Sequence, residues 1–251
     1  MQKIVLTFIA LLCGLGAFAQ DKDASAPKDA KKKSAGSDRV VVDLFHDNWL
    51  TKPDGVETKW YGRGAGLYTM FNKNIIKKNV NIGFGVGLTS HNVYHNMLVG
   101  YNAIADSAVL INYPTRIPNN ATTVADDSLN IEYKKNKIST TYIDVPIELR
   151  FMTNANAKGR RFKIAVGGRV GYLINGHTKY KGGDYLYGTN TDIKLKQGII
   201  QNINKLRYGA TARIGYGNFN LFGYYALSQM FEKNKGPEIA PFSIGFSFNG
   251  M

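Results

Sequence analysis

The sequence predicts an all-β fold: an eight-stranded, up-and-down antiparallel transmembrane β-barrel with short periplasmic turns and longer external loops. Three observations carry the prediction. Segments of two-residue alternation recur along the chain, each with one apolar face. The connections between them alternate between short and long. The start reads as an export signal, yet no apolar run approaches the roughly 20 residues of a spanning helix. The alternation is most informative in Y-I-D-V-P-I-E-L-R-F-M, from Tyr142 to Met152. Ile143, Val145, Ile147, Leu149 and Phe151 share one strand face, and Asp144, Glu148 and Arg150 share the other. A water-soluble sheet would hide the apolar face. A membrane barrel turns it to lipid and the charges inward.

In chain order, Lys3, the apolar run Ile4 to Leu12 and Ala17-Phe18-Ala19 predict a signal peptide over 1–19. The single cysteine, Cys13, falls inside it, and the bulky Leu12 disfavours a lipidated Cys13. The mature chain then has no thiol chemistry. Residues 20–38, with Lys31-Lys32-Lys33, lack apolar content and predict a disordered periplasmic tail. The barrel is expected over 39–251.

Its strands are read at Arg39–His46, Trp60–Phe71, Val80–His91, Ile138–Met152, Phe162–Thr178, Lys205–Tyr216, Phe219–Gln229 and Pro241–Asn249. The connections 72–79, 153–161 and 217–218 are short, whereas 92–137 and 179–204 are long. Short connections mark the periplasmic side, so both termini are expected there. The two-residue loop Gly217-Asn218 fixes hairpin register. It pairs Tyr216 with Phe219 and Arg213 with Phe222. It also turns Asn220, Phe222, Tyr224, Ala226 and Ser228 inward. Pro146 cannot donate to a ladder, which predicts a bulge or a bridged gap there.

The proline strand Tyr142-Ile143-Asp144-Val145-Pro146-Ile147 resembles the strand "Y-I-(D/E)-(I/V)-P-(I/L)" of PorT-like outer-membrane β-barrels. Gly83-Phe84-Gly85-Val86-Gly87-Leu88 and the terminal run Phe242 to Phe248 are also similar. The resemblance runs from about Arg39 to the C-terminus. It implies a small barrel of the Gram-negative outer membrane, in a family whose named member takes part in protein secretion. It brings no set of functional residues.

The inward charges are the main candidate site. Arg63, Asp144, Glu148, Arg150, Lys163, Arg169, Arg207 and Arg213 are all expected in the lumen. An eight-stranded lumen is filled by side chains, and buried charges must pair. Asp144, Glu148, Arg150, Arg169, Arg207 and Arg213 are therefore expected to form an ion-pair network, with Arg169 opposite Asp144 or Glu148. The inward glycines of Gly83-x-Gly85-x-Gly87 and Gly167-Gly168 lack the strand-to-helix setting of phosphate loops. They read as room for Arg and Tyr side chains. His91, His95 and His177 are expected in surface loops, with no metal-ligand spacing, so neither a metal nor another cofactor is expected.

In the long loops, Ser107–Tyr113 and Ser128–Tyr133 are expected to pair as a hairpin. Asp106-Ser107-Ala108 and Asp127-Ser128-Leu129 resemble an O-glycosylation signal of some Gram-negative envelopes. Tyr180, Tyr185 and Tyr187 are the expected external binding residues, suited to sugars or an anionic surface. The formal charge of +14 is spread over tail, turns and loops, and export argues against nucleic acid. The expected partners are outer-membrane lipid and envelope proteins or polysaccharide. The favoured reading is a non-enzymatic envelope scaffold or interaction module, associated with secretion through its family. The alternatives are a barrel enzyme acting on lipid or peptide at the outer rim, and last a soluble lipocalin-like barrel.

Overall fold

Alternation of large apolar with small or polar residues favours extended chain throughout, and the computed structural model is all-β. It describes residues 40–76, 79–112, 116–118, 128–130, 132–157, 159–189 and 191–250. The expected signal peptide and tail lie outside the described residues. The strands are β1 Val40–Thr51, β2 Gly64–Ile76, β3 Val80–Tyr94, β4 Met97–Asn102, β5 Ser107–Asn112, β6 Arg116–Pro118 and β7 Ser128–Asn130. They continue with β8 Tyr133–Met152, β9 Phe162–Gly183, β10 Asp192–Gln197, β11 Leu206–Tyr216, β12 Phe219–Ala226 and β13 Ala240–Gly250.

Eight of them form a ring within one sheet. The order runs β1-β2-β3-β8-β9-β11-β12-β13, and β13 returns to β1 with Val40 opposite Gly250. Each neighbouring pair is antiparallel. The short turn Gly217-Asn218, with Gly217 at φ +64, pairs Tyr216 with Phe219 and Arg213 with Phe222. Most strands run past their expected ends. β2 continues to Ile76, and β8 and β9 reach 20 and 22 residues. The loop strands differ from expectation. Ser107–Asn112 pairs with Met97–Asn102, and Ser128–Asn130 pairs with Arg116–Pro118. Adjacent segments have less chain to close between them, and each run took its nearer partner.

The two faces of the ring are chemically opposite. Leu44, Phe71, Phe84, Ile147, Val166, Val170, Ile214, Leu221, Ile244 and Phe246 are exposed on the outside. Asp43, Asp144, Glu148, Arg169, Arg207 and Arg213 are buried within. The outward band on β9 runs from Phe162 to Ile174. At about 3.3 Å per residue and a tilt near 45°, it is about 28 Å tall, the depth of a bilayer's hydrocarbon core.

Pro146 points inward with Asp144 and Glu148. Pairing with β3 is lost at Val145 and Pro146, and resumes at Asp144–Gly87 in the same register. Of the two expected forms, a bulge or a bridged gap, the interruption is a gap. No residue is inserted, and the interruption is one-sided, because Pro146 stays paired with Arg169 on β9.

Beyond the lumen, at the end with the long loops, the burial pattern changes. Trp49, Val56, Val93, Met97, Ala108, Ile138, Ile200, Ile203, Met230, Phe231 and Ile239 form one apolar cluster. Loop-to-loop bonds lace it together: Ala108 N to Lys235 O at 2.9 Å, and Met230 N to Ile239 O at 2.9 Å. Asn202 Nδ2 donates to Asp106 O at 2.7 Å. This cap closes the lumen with packed loops.

Candidate functional site

Inward positions at two-residue spacing bring the charged side chains of β1, β8, β9 and β11 to one axis. Near the short-turn end, Arg213 is held between two carboxylates. Its Nη1 and Nη2 donate to Asp43 at 2.7 and 2.8 Å, and its Nε donates to Glu148 at 2.9 Å. Its Nη1 also donates to Ser247 Oγ. Arg150 donates to the other oxygen of Glu148 through Nε at 3.0 Å and Nη2 at 2.9 Å, and to Asn72 through Nη1.

Midway, Asp144 accepts from Thr89 Oγ1 at 2.6 Å and Arg207 Nη2 at 2.7 Å. Arg169 Nε lies 3.7 Å from the same carboxylate. Arg169 faces Pro146 across the ladder, so it stands between the two expected partners. Glu148 is already engaged by Arg213 and Arg150. Arg169 instead donates to the Tyr68 hydroxyl and lies over the Tyr224 ring, 3.9 Å from its centroid. Arg207 stacks on Tyr142 at 3.7 Å and Arg213 on Phe222 at 4.5 Å. A planar guanidinium meets an aromatic face well, so these cations are stabilised by rings as well as carboxylates.

At the loop end of the lumen, His91 Nδ1 lies 2.9 Å from Asp47 Oδ1, and Arg207 Nη1 lies 2.8 Å from His91 Nε2. Arginine can only donate, so Nε2 accepts and the proton sits on Nδ1, directed at Asp47. Ser243 Oγ donates to Asp47 at 2.6 Å, not to the imidazole. Serine, histidine and aspartate thus meet here without the nucleophile-to-base contact that acyl transfer needs. A cavity here of about 30 Å³ is lined by Asp47, Trp49, His91, Tyr142, Arg207 and Tyr224 among others. That is room for ordered water but not for an organic ligand.

Asp43, Asp47, Asp144 and Glu148 balance Arg150, Arg169, Arg207 and Arg213 in the buried lumen. The glycines opposite them set the space. A Cβ on Gly171 would lie 2.0 Å from Asp144 Oδ1, and one on Gly87 would lie 2.3 Å from the Tyr68 ring.

Asp144, Glu148, Arg150, Arg169, Arg207 and Arg213 are thus brought together. Arg63 is not: it precedes β2 and is exposed, so its expected inward position is corrected. Lys163 is half-buried at the short-turn mouth. Asp43 and Asp47 were missed as members. Asp43 alternates with Val42 and Leu44, which was signal enough, while Asp47 lies beyond the expected end of the first strand. The histidines are also corrected. His91 is 8% exposed in the network, and His95 is fully buried beside Trp49, ring centroids 5.2 Å apart. His177 is half-buried on β9. Burial lowers the His95 pKa to about 4.

The three tyrosines do not form one surface. Tyr180 is 3% exposed and donates to Gly183 O at 2.8 Å. Tyr185 is half-buried against it, edge-on at 5.0 Å, and Tyr187 is exposed. Tyr180 faces inward because its partner Asn136 does. Of the two glycosylation-like signals, Ser107 is half-buried in β5, and Asp127 lies outside the described residues. Among the described residues, no group of three or more His, Cys, Asp or Glu side chains is arranged to hold a metal.

A family described as "Outer membrane protein beta-barrel domain" matches residues 60–232. The match spans six strands of the ring, and the other two, β1 and β13, pair with each other. No curated protein and no solved structure matches the chain.

Proposed function

From the premise that the chain belongs to the family of outer-membrane protein β-barrel domains, we propose an eight-stranded, up-and-down transmembrane barrel with a closed lumen. It acts as a non-enzymatic scaffold in a Gram-negative envelope. The barrel anchors the chain, and the packed cap is the interaction module it displays outside the cell. Both termini lie in the periplasm, and residues 1–19 are removed on export. The observation that carries this reading is the reversal of burial along one axis. The ring wall is apolar outside and ionic inside, and the cap above it has an apolar core.

A filled, charge-balanced lumen supports anchoring over conduction. The engaged nitrogens of His91 and the Ser243–Asp47 contact support display over catalysis. A role beside a secretion apparatus fits the PorT-like strand. The test has two parts. The purified protein should need detergent for extraction and should migrate differently on gels before and after heating. Crosslinking from an exposed cap position such as Tyr187 in intact cells should capture an envelope protein or polysaccharide. Extraction without detergent would overturn the barrel, and a cap that crosslinks to nothing would overturn the display role.

A further inference from the structure

The lysines that look scattered in the sequence are gathered by strand register. β8 and β9 extend beyond the lumen as a ribbon, and β10 adds a third strand to it. Lys137 pairs with Lys179, and Lys179 with Lys196. Lys135 pairs with Lys181, and Lys181 with Lys194. Directly paired residues share a face of the sheet, so these six lysines form two rows of three on one face. The opposite face carries Asn136, Ile138 and Tyr180, which are buried against the cap. The lysine face therefore points away from the molecule.

Among the described residues, none of these six lysines is in an ion pair with a carboxylate. Among the described residues, the ribbon's ion pair is Lys134 with Asp192, at its far edge. Lys137 donates to Asn92 Oδ1, and Lys135 and Lys137 lie 5.3 and 5.8 Å from the Tyr94 ring centroid. The rows act as one field. The pKa of His177 is lowered by partial burial and then by Lys196, Lys137 and Lys179. Like charges directly opposite each other destabilise a sheet, and a counter-anion would offset that cost.

Position identifies the anion. The lysine face continues the outward apolar band of the same strands, whose last β9 members are Tyr172 and Ile174. Lys179 lies five residues beyond Ile174. That is about 17 Å along a strand and about 12 Å in height at the usual tilt. A lysine bent back toward the bilayer spans about half of that gap, and the headgroup layer, about 5–7 Å deep above the hydrocarbon, covers the rest. We propose that the two lysine rows bind phosphate-bearing headgroups of outer-leaflet lipid, as a site on the barrel wall immediately above the hydrocarbon. This rests on the membrane reading and its orientation.

The test uses the full chain in a zwitterionic detergent, titrated with fluorescent diphosphoryl lipid A and with the same lipid dephosphorylated. The triple variant Lys137→Gln, Lys179→Gln and Lys196→Gln should bind the phosphorylated lipid at least about tenfold more weakly at low salt. A control triple of exposed lysines elsewhere, Lys52→Gln, Lys205→Gln and Lys233→Gln, should stay within about twofold. The dephosphorylated lipid should not distinguish wild type from either triple. Equal binding of phosphorylated lipid by wild type and the Lys137 triple, with both heat-modifiable, overturns the site and leaves the barrel standing. Displacement by inorganic phosphate or by an acidic polysaccharide at the lipid's own concentration also overturns it, because the anion is then not a headgroup. A wild-type chain that needs no detergent overturns the membrane reading itself.

Discussion

The lumen around Arg213 and the cap around Trp49 are both sealed from solvent, yet they are filled with opposite residue types. The lumen holds four carboxylates and four guanidiniums, and the cap holds aliphatic and aromatic side chains. What surrounds each region explains the difference. Outside the ring, lipid accepts apolar side chains at no cost, so hydrophobicity gives no preference for the inside. Inward positions are left to polar groups that satisfy one another. Outside the cap is water, and the ordinary preference for burying apolar surface returns. His91 and His95 mark the change over four residues of one strand end. The first is bonded to Asp47, and the second is stacked on Trp49.

Removing one charge from the lumen should have the largest effect. Arg213→Leu leaves Asp43 without the guanidinium it pairs with and Glu148 with Arg150 alone, and should cost about 3–5 kcal/mol. Urea titration of the folded fraction in bilayers, read by gel shift, checks this. A loss under about 1 kcal/mol would mean the lumen tolerates unpaired charge and resembles water more than a protein interior.

Acid should loosen the cap next. His95 titrates near 6.5 unfolded and about 4 folded, so its neutral form is the one the fold favours. The stability tied to it is fully present above pH 6.5 and is lost as pH falls from 6.5 to 4, a change of about 3 kcal/mol. Limited proteolysis of the loops should accelerate over that window in the wild type. In His95→Leu the acceleration over the same window should be clearly smaller, with what remains coming from other groups such as His177.

The third test contrasts the two exteriors. Val166→Arg places a cation in the middle of the outward band, and should cost about 2–4 kcal/mol in a bilayer. Ile104→Lys, at the tip of the β4–β5 hairpin where Ile104 is fully exposed, should stay within about 0.5 kcal/mol. Similar costs at the two sites would erase the distinction between a lipid-facing and a water-facing surface.

The ring was legible in the sequence because its information is local. Period-two alternation assigns faces, a two-residue Gly-Asn turn fixes one register, and the alternation of short and long connections gives the strand number. The network members on β8, β9 and β11 followed from alternation alone. What was not legible depended on contacts distant in sequence. Arg169 meets Asp144, one of its two expected partners, but only at 3.7 Å, because Pro146, a residue with no side-chain polarity, occupies the facing position. His91, His95 and Tyr180 read as loop residues because nothing local shows the distant partners that bury them: Asp47 and Arg207 around His91, Trp49 beside His95 and Asn136 opposite Tyr180. The lysine rows escaped notice because no alternation rule aligns β10 with β9. That register comes from the loop that joins them.

The account's central claim is that burial reverses between ring and cap. The two tryptophans give a direct probe: Trp49 is 3% exposed in the cap core, and Trp60 is 82% exposed. In a Trp60→Phe background, fluorescence is measured in bilayers whose lipid tails carry bromine, with and without a further Val166→Trp substitution. The account predicts that Trp49 alone is unquenched, and that the added indole at position 166 is strongly quenched. Quenching of Trp49, or an indole at 166 that bromine does not reach, would contradict it.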